Sequence, residues 1–193
     1  DPRRAVPLAE AALAMQLRLA DGQPTEDVLL AQHILACCLD EAGRPRDALP
    51  NHEAALAMDR ELRGKVDDLE RATLLHAFAG CLRELERFED ALAHQQTVLQ
   101  IRRRESDGEP DLEVVHSLMH VGECLDSMGR LTDGLRAHEE ALAMCRQLDG
   151  VPEEAVAGLV ERIQQAAVRP VPRRPTRPTA GSLERRLTAK KRR

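Results

Sequence analysis

A hexapeptide that returns at a fixed interval constrains this chain more than any other feature. Glu-Ala-Ala-Leu-Ala-Met stands at 10–15 and again at 53–58, and Glu-Glu-Ala-Leu-Ala-Met follows at 139–144. The offsets are 43 residues and multiples of 43, and the intervening copy, Gln96 to Ile101, keeps the place with other side chains. Asp47, Asp90 and Asp133 share the interval, as do Leu49, Leu92 and Leu135. So do Cys38, Cys81 and Cys124, and then Leu39, Leu82 and Leu125. Self-similarity at a period of about 20–50 residues marks arrays whose single units cannot bury their own apolar faces. Neighbouring units must therefore stack.

Each period reads as two helices. The first helix of period one is expected near 25–42, with Pro24 suited to its opening turn, where a missing N–H costs nothing. Gly43 supplies a left-handed exit, and a second helix runs near 45–62 with Asp47 at its positive end. The array is expected over 1–168: an unpaired helix at 3–20, repeats at 24–62, 67–104 and 110–148, and a final helix at 152–168. Strand signals are absent. The helix at 3–20 matches the second helix of a period and has no partner before it. With Asp1 in place of an initiator Met, the chain reads as the C-terminal piece of something longer. The face Val6, Leu13 and Leu17 is expected to be an exposed apolar patch and a route to self-association.

Composition narrows the function classes. Aromatic residues are Phe78 and Phe88 alone, with no Trp or Tyr, so the core is built from Ala, Leu, Val, Ile and Met. Single-strand nucleic-acid binding by stacking on aromatic rings is excluded. No apolar run approaches the roughly 18 residues of a membrane helix, so no membrane partner is expected. No charged-then-apolar leader stands at the start, and secretion is not expected. Charge is uneven. Residues 169–193 hold ten Lys or Arg and one Glu, whereas 1–168 hold 18 basic and 32 acidic side chains. An acidic body thus precedes a basic, Pro-rich tail carrying Arg169, Arg173, Arg174, Arg177, Arg185, Arg186, Lys190, Lys191, Arg192 and Arg193. Such a tail is expected to be disordered, with nucleic acid or an acidic protein surface as its partners.

The residues Leu35-Ala36, Leu39, Gly43-Arg44, Asp47-Ala48-Leu49 and Ala55-Leu56, with their copies, resemble tetratricopeptide repeats. Those copies include Phe78-Ala79, Leu82, Ala91-Leu92, Val121-Gly122, Leu125, Gly129 and Ala141-Leu142. The resemblance is to the longer-helix form found in kinesin light chains and many bacterial relatives. Asp-Gly-x-Pro at 21–24, 107–110 and 149–152 is similar to that family's linker. Over about 3–168 the resemblance implies an all-α, right-handed α-solenoid of antiparallel helix pairs. It also implies a concave groove lined by the first helix of each pair, opposite the packing residues Leu35, Ala36 and Leu39.

That face holds His33, Ile34, Cys37, Asp40 and Glu41 in period one. Period two supplies Thr73, His76, Ala77, Gly80, Arg83 and Glu84, and period three supplies His116, Met119, His120, Glu123 and Asp126. Where the family often presents Asn to hold a peptide backbone, Ile34, Ala77 and His120 stand instead. Five carboxylates against Arg83 make an acidic groove, which favours basic peptides. The basic tail is itself such a peptide, reaching roughly 75 Å at about 3.1 Å per residue, and is expected to compete for the groove.

Five Cys and seven His raise the question of a metal. There is no Cys-x-x-Cys, and Cys37 and Cys38 point about 100° apart on a helix. Cys38, Cys81 and Cys124 lie beside packing leucines and are expected to be small buried fillers, reduced as in a cytoplasm. His116 and His120 share a face at a spacing that can hold zinc, but Ser117 stands where a metalloprotease has its Glu. His52 and His138 occupy a place that usually carries a packing aromatic in the family and are expected to fill the core. No nucleophile–base order and no Gly-rich phosphate loop appears. The expectation is a non-catalytic protein- or peptide-binding scaffold without cofactor or metal, the interaction or sensor part of a larger bacterial regulatory protein. The alternative is a nucleic-acid-associated regulator acting through the tail.

Overall fold

The computed structural model describes residues 2–64, 66, 68–148 and 153–167. Among the described residues there are eight α-helices and no strand: α1 Pro2–Leu19, α2 Glu26–Glu41, α3 Pro45–Arg63, α4 Leu69–Glu84, α5 Phe88–Glu105, α6 Leu112–Ser127, α7 Leu131–Cys145 and α8 Glu153–Ala167. Each helix packs on the next in the chain, and α2 also touches α4. The result is a right-handed α-solenoid of antiparallel pairs. No described helix is long and apolar enough to cross a membrane. The basic tail lies outside the described residues.

Local chemistry sets the helix ends, and it repeats with the period. Thr25, Asp68 and Asp111, spaced by 43, cap α2, α4 and α6 by accepting the N–H of Val28, Arg71 and Val114. Such a cap contributes about 1 kcal/mol. Pro24 therefore lies just outside α2 and not in its first turn. It is Pro45 that takes the first helical position, in α3. The second helices lack a side-chain cap, and their leading arginines instead pair with an acid three residues on: Arg44 with Asp47, Arg87 with Asp90, Arg130 with Asp133, each at 2.7 Å. The first helices end in a left-handed residue at Gly43, Glu86 and Gly129, with φ of 71°, 59° and 74°. Glu86 carries a Cβ where its counterparts carry none, at a cost of about 1–2 kcal/mol.

The largest apolar cluster runs from α4 to α8 around Phe78, Leu82, Leu118, Leu125 and Leu159. A second joins α1 to the first repeat through Val6, Ala9, Leu35 and Leu39, with Leu13 packed against it. This corrects the reading of α1. Val6 is buried and Leu13 half-buried, because the face expected to be orphaned is the one that meets α2. The apolar residues left exposed are Leu8, Met15 and Leu19, with Leu17 at 39%. Cys81 and Cys124 are buried as expected, but Cys38 is only partly so, and all five thiols are free.

Candidate functional site

The groove-facing residues of α2 begin at a cleft of about 330 Å³ where α2 meets α4, lined by Glu26, Asp27, Leu29, Leu30, His33, Arg63, Glu70, Thr73 and Leu74. Leu30 and Ile34, one turn apart, expose 55% and 46% of their surface. His33 and Cys37 are half-buried and touch, Sγ lying 3.8 Å from Nε2. Burial, reinforced by nearby carboxylates, pushes the Cys37 thiol up to about 11, so it stays protonated. Burial and the neighbouring His52 lower the His33 pKa, favouring the neutral ring.

Thr73 is exposed and donates to the Leu69 carbonyl (2.9 Å). His76 is half-buried beside Gln95, and its ring lies 4.9 Å from that of His120 on the next first helix. Burial, and then His120, lower the His76 pKa. Met119 packs on the core, and His116 is exposed with Nδ1 3.8 Å from Glu113. His116 and His120 thus engage different partners.

Three of the five groove carboxylates are engaged by partners. Asp40 Oδ2 lies 2.7 Å from His52 Nε2, and Asp126 Oδ2 lies 3.0 Å from His138 Nε2. Both histidines are buried, as their places predicted, but they hold hydrogen bonds as well as volume. Glu123 is gripped by Arg83 at 2.7 Å and by Arg162 of α8. Burial alone would raise the Glu123 pKa. The hydrogen bond from His120 and the charges of Arg83 and Arg162 overcome it and hold the carboxyl at about 2. His120 Nδ1 faces both Arg83 Nη1 (2.9 Å) and Glu123 Oε2 (3.2 Å). With Nδ1 bare it accepts from Arg83; with a proton on Nδ1 it donates to Glu123. Arg83, Glu123, Asp126 and Arg162 line a second cleft of about 460 Å³. Glu41 and Glu84 are exposed carboxylates at the ends of α2 and α4.

The middle repeat departs from its neighbours at one pair of positions. Asp40 and His52, like Asp126 and His138, bond within a repeat, but the same places in period two hold Arg83 and Gln95. Arg83 turns outward to the next repeat, and Gln95 bonds His76. Two groups escaped sequence reasoning. Arg162 follows Pro152 by ten residues, as His120 follows Pro110, so counting from the proline finds it where the 43-residue count misses it. Asp59 is buried, with Arg63 at 2.6 Å and Arg71 at 3.0 Å. Its counterparts are Arg102 and Cys145, so the repeat carried no signal there.

Residues 70–155 match the family described as tetratricopeptide repeat. Among solved structures, BtubC (BKLC) from P. vanneervenii superposes with a TM-score of 0.70 at 22% identity, over 92% of this chain and 79% of that one. A putative kinesin light chain from Podosopora anserina, with nearly identical TPR-like repeats, gives 0.72 at 16% identity over 98% and 82%. PcrH in complex with the chaperone binding region of PopB gives 0.50 at 20% identity over 74% and 96%. At these identities the likeness carries the fold. No curated protein matches the chain.

Proposed function

Starting from the match of residues 70–155 to the tetratricopeptide repeat family, we propose that the chain is a non-catalytic scaffold binding a protein or peptide segment along α2, α4, α6 and α8. The observation that carries this reading is the cleft between α2 and α4. Its apolar Leu29, Leu30 and Leu74 sit beside the carboxylates of Glu26, Asp27 and Glu70. Arg63 shares the cleft and pairs with Glu26 and Glu70, but the carboxylates outnumber it. The cleft therefore suits a segment that alternates aliphatic and basic side chains: burying an aliphatic group contributes about 1.5–3 kcal/mol, and an excess of one sign concentrates the opposite charge. Glu41 and Glu84 extend that sign toward the other end of the face, where Arg83 and Arg162 interrupt it. The scaffold acts as the interaction or sensor part of a larger regulatory protein, in a compartment that keeps its five thiols reduced.

Fluorescence anisotropy with labelled peptides tests this. A basic-aliphatic peptide should bind the 1–168 body more tightly than its acidic counterpart, weaken as salt rises, and weaken again in the charge-neutral Leu30→Ser. A preference for the acidic peptide refutes the groove reading. The tail should compete, so the full chain should bind the basic peptide more weakly than the body; equal affinity at low salt refutes masking. The exposed Leu8, Met15 and Leu19 of α1 are a second partner surface, the route to self-association. Sedimentation of Leu8→Glu/Met15→Glu should show less oligomer than the parent. The ten basic residues of the tail favour a second reading, nucleic-acid association. Loss of salt-dependent DNA or RNA binding on deleting 169–193 would support it.

A further inference from the structure

At the junction of the first two helix pairs, Asp40 of α2, His52 of α3 and Cys81 of α4 bring three ligating atoms within 4.8 Å of one another. His52 and Cys81 are each 1% exposed, and the Asp40 side chain closes the cluster at 22%. His52 Nε2 stands 2.7 Å from Asp40 Oδ2, and Cys81 Sγ donates to the Pro45 carbonyl at 3.2 Å. The second carboxylate oxygen, Asp40 Oδ1, is buried with no hydrogen-bond partner. A buried acceptor in that state is destabilising. Asp40 also interacts with the Cys81 thiol.

We propose that Asp40, His52 and Cys81 form a zinc site, with water as the fourth ligand. The donor set is the borderline-soft mixture of oxygen, nitrogen and sulfur that suits this ion. Bonds of about 2.0–2.3 Å in a tetrahedron put ligand atoms roughly 3.3–3.7 Å apart. The Asp40–His52 contact then opens by about 1 Å as the ion replaces its proton, and the thiol swings from Pro45 toward the ion. Two anionic ligands balance the dication, so no net charge is stranded in the interior.

On binding, the S–H bond of Cys81 breaks, its proton passes to solvent, and the sulfur electron pair forms the Zn–S bond. His52 loses the Nε2 proton it shares with Asp40 and takes one up on Nδ1, so the ring stays neutral, Nε2 gives its lone pair to the ion, and the net release is the one thiol proton. The metal therefore displaces a proton that the thiol otherwise holds, and affinity rises with pH. A cleft of about 530 Å³ lined by Gly43, Arg44, Pro45, Glu84 and Leu85 lies next to the Pro45 carbonyl that Cys81 bonds.

The third repeat is an internal control. Asp126 and His138 form the same pair, again with a buried, unpartnered Oδ1. Counted from the proline, the residue that follows Pro152 as Cys124 follows Pro110 is Ala166, so the sulfur is lacking there.

The test is zinc titration of the reduced full chain by calorimetry, with cobalt(II) as a spectroscopic probe. The expected result is one equivalent bound, release of about one proton, and a near-ultraviolet thiolate-to-cobalt band. Asp40→Asn, His52→Gln and Cys81→Ser should each weaken binding at least about tenfold, and His138→Gln should leave it unchanged. Cys37→Ser should also leave it unchanged, which separates this cluster from the His33–Cys37 pair on the groove. The proposal is overturned by substoichiometric binding, by binding that survives Cys81→Ser, or by binding lost in Cys37→Ser. The cobalt band is read on the unsubstituted chain, so its absence overturns the proposal even where a variant does not fold.

Discussion

Gly122 offers the sharpest test of how the third helix pair is packed. A Cβ built there would lie 2.4 Å from His138 Cε1 and 2.7 Å from Nε2. The counterparts at this place are Ala36 and Ala79, both fully buried; the first repeat holds His52 with Ala36 in place, whereas in the third the His138 ring occupies the space a methyl group would take. In Gly122→Ala the ring must retreat by about 1 Å inside a close-packed interior, which costs about 1–3 kcal/mol. That retreat strains the 3.0 Å bond to Asp126, and stranding those buried atoms adds about 1–3 kcal/mol. The better helix propensity of alanine returns about 1 kcal/mol. The net expectation is a loss of about 1–5 kcal/mol. Gly80 in α4 is the control, because its added Cβ meets nothing within 4 Å. Gly80→Ala should gain up to about 1 kcal/mol. Urea unfolding followed by far-ultraviolet circular dichroism reads both. Since stacked repeats can unfold in parts, amide exchange in α6 and α7 locates the effect. If Gly122→Ala is as stable as the parent, with exchange in α6 and α7 unchanged, the packing argument is wrong.

Three further expectations concern charge and backbone. Glu123 has a pKa depressed from 4.5 to about 2, so its contribution to stability is present above about pH 4.5 and is lost as pH falls through about 2. Glu123→Gln should flatten the acid limb of the stability profile, a difference on the order of 3 kcal/mol at neutral pH; an unaltered limb refutes the assignment. Asp59→Asn removes the buried partner of Arg63 and Arg71 and should cost about 3–5 kcal/mol in denaturant unfolding. Glu86→Gly relieves a left-handed residue and should raise stability by up to about 1 kcal/mol, whereas Gly43→Ala, at the same place in the first repeat, should lower it.

The fold was legible because the signals were local and came three times over. Gly43 and Gly129 mark helix ends on their own, and Glu86 could be read as one only because the period places it there. The groove was legible as a set of positions and less so as a set of charges. Asp40 and Asp126 read as free groove carboxylates because their partners, His52 and His138, lie twelve residues away on the returning helix and had been given a purely apolar role. Arg162 was hidden by a one-residue shift after the third repeat. The burial of Val6 turns on which side of α1 meets α2. Periodicity names a face, but does not say which neighbour covers it.

Glu123 has a mechanical consequence. An ordinary stack hands a load from each unit to the next, so pulling on the last helix peels elements away one at a time. Here the carboxylate of α6 is tied on one side to α8 through Arg162 and on the other to α4 through Arg83. Drawing α8 away pulls on Glu123 and, through it, on Arg83 of α4. A force at the C-terminal end is therefore felt two helix pairs upstream, and this end of the array should give way as one block rather than unravel.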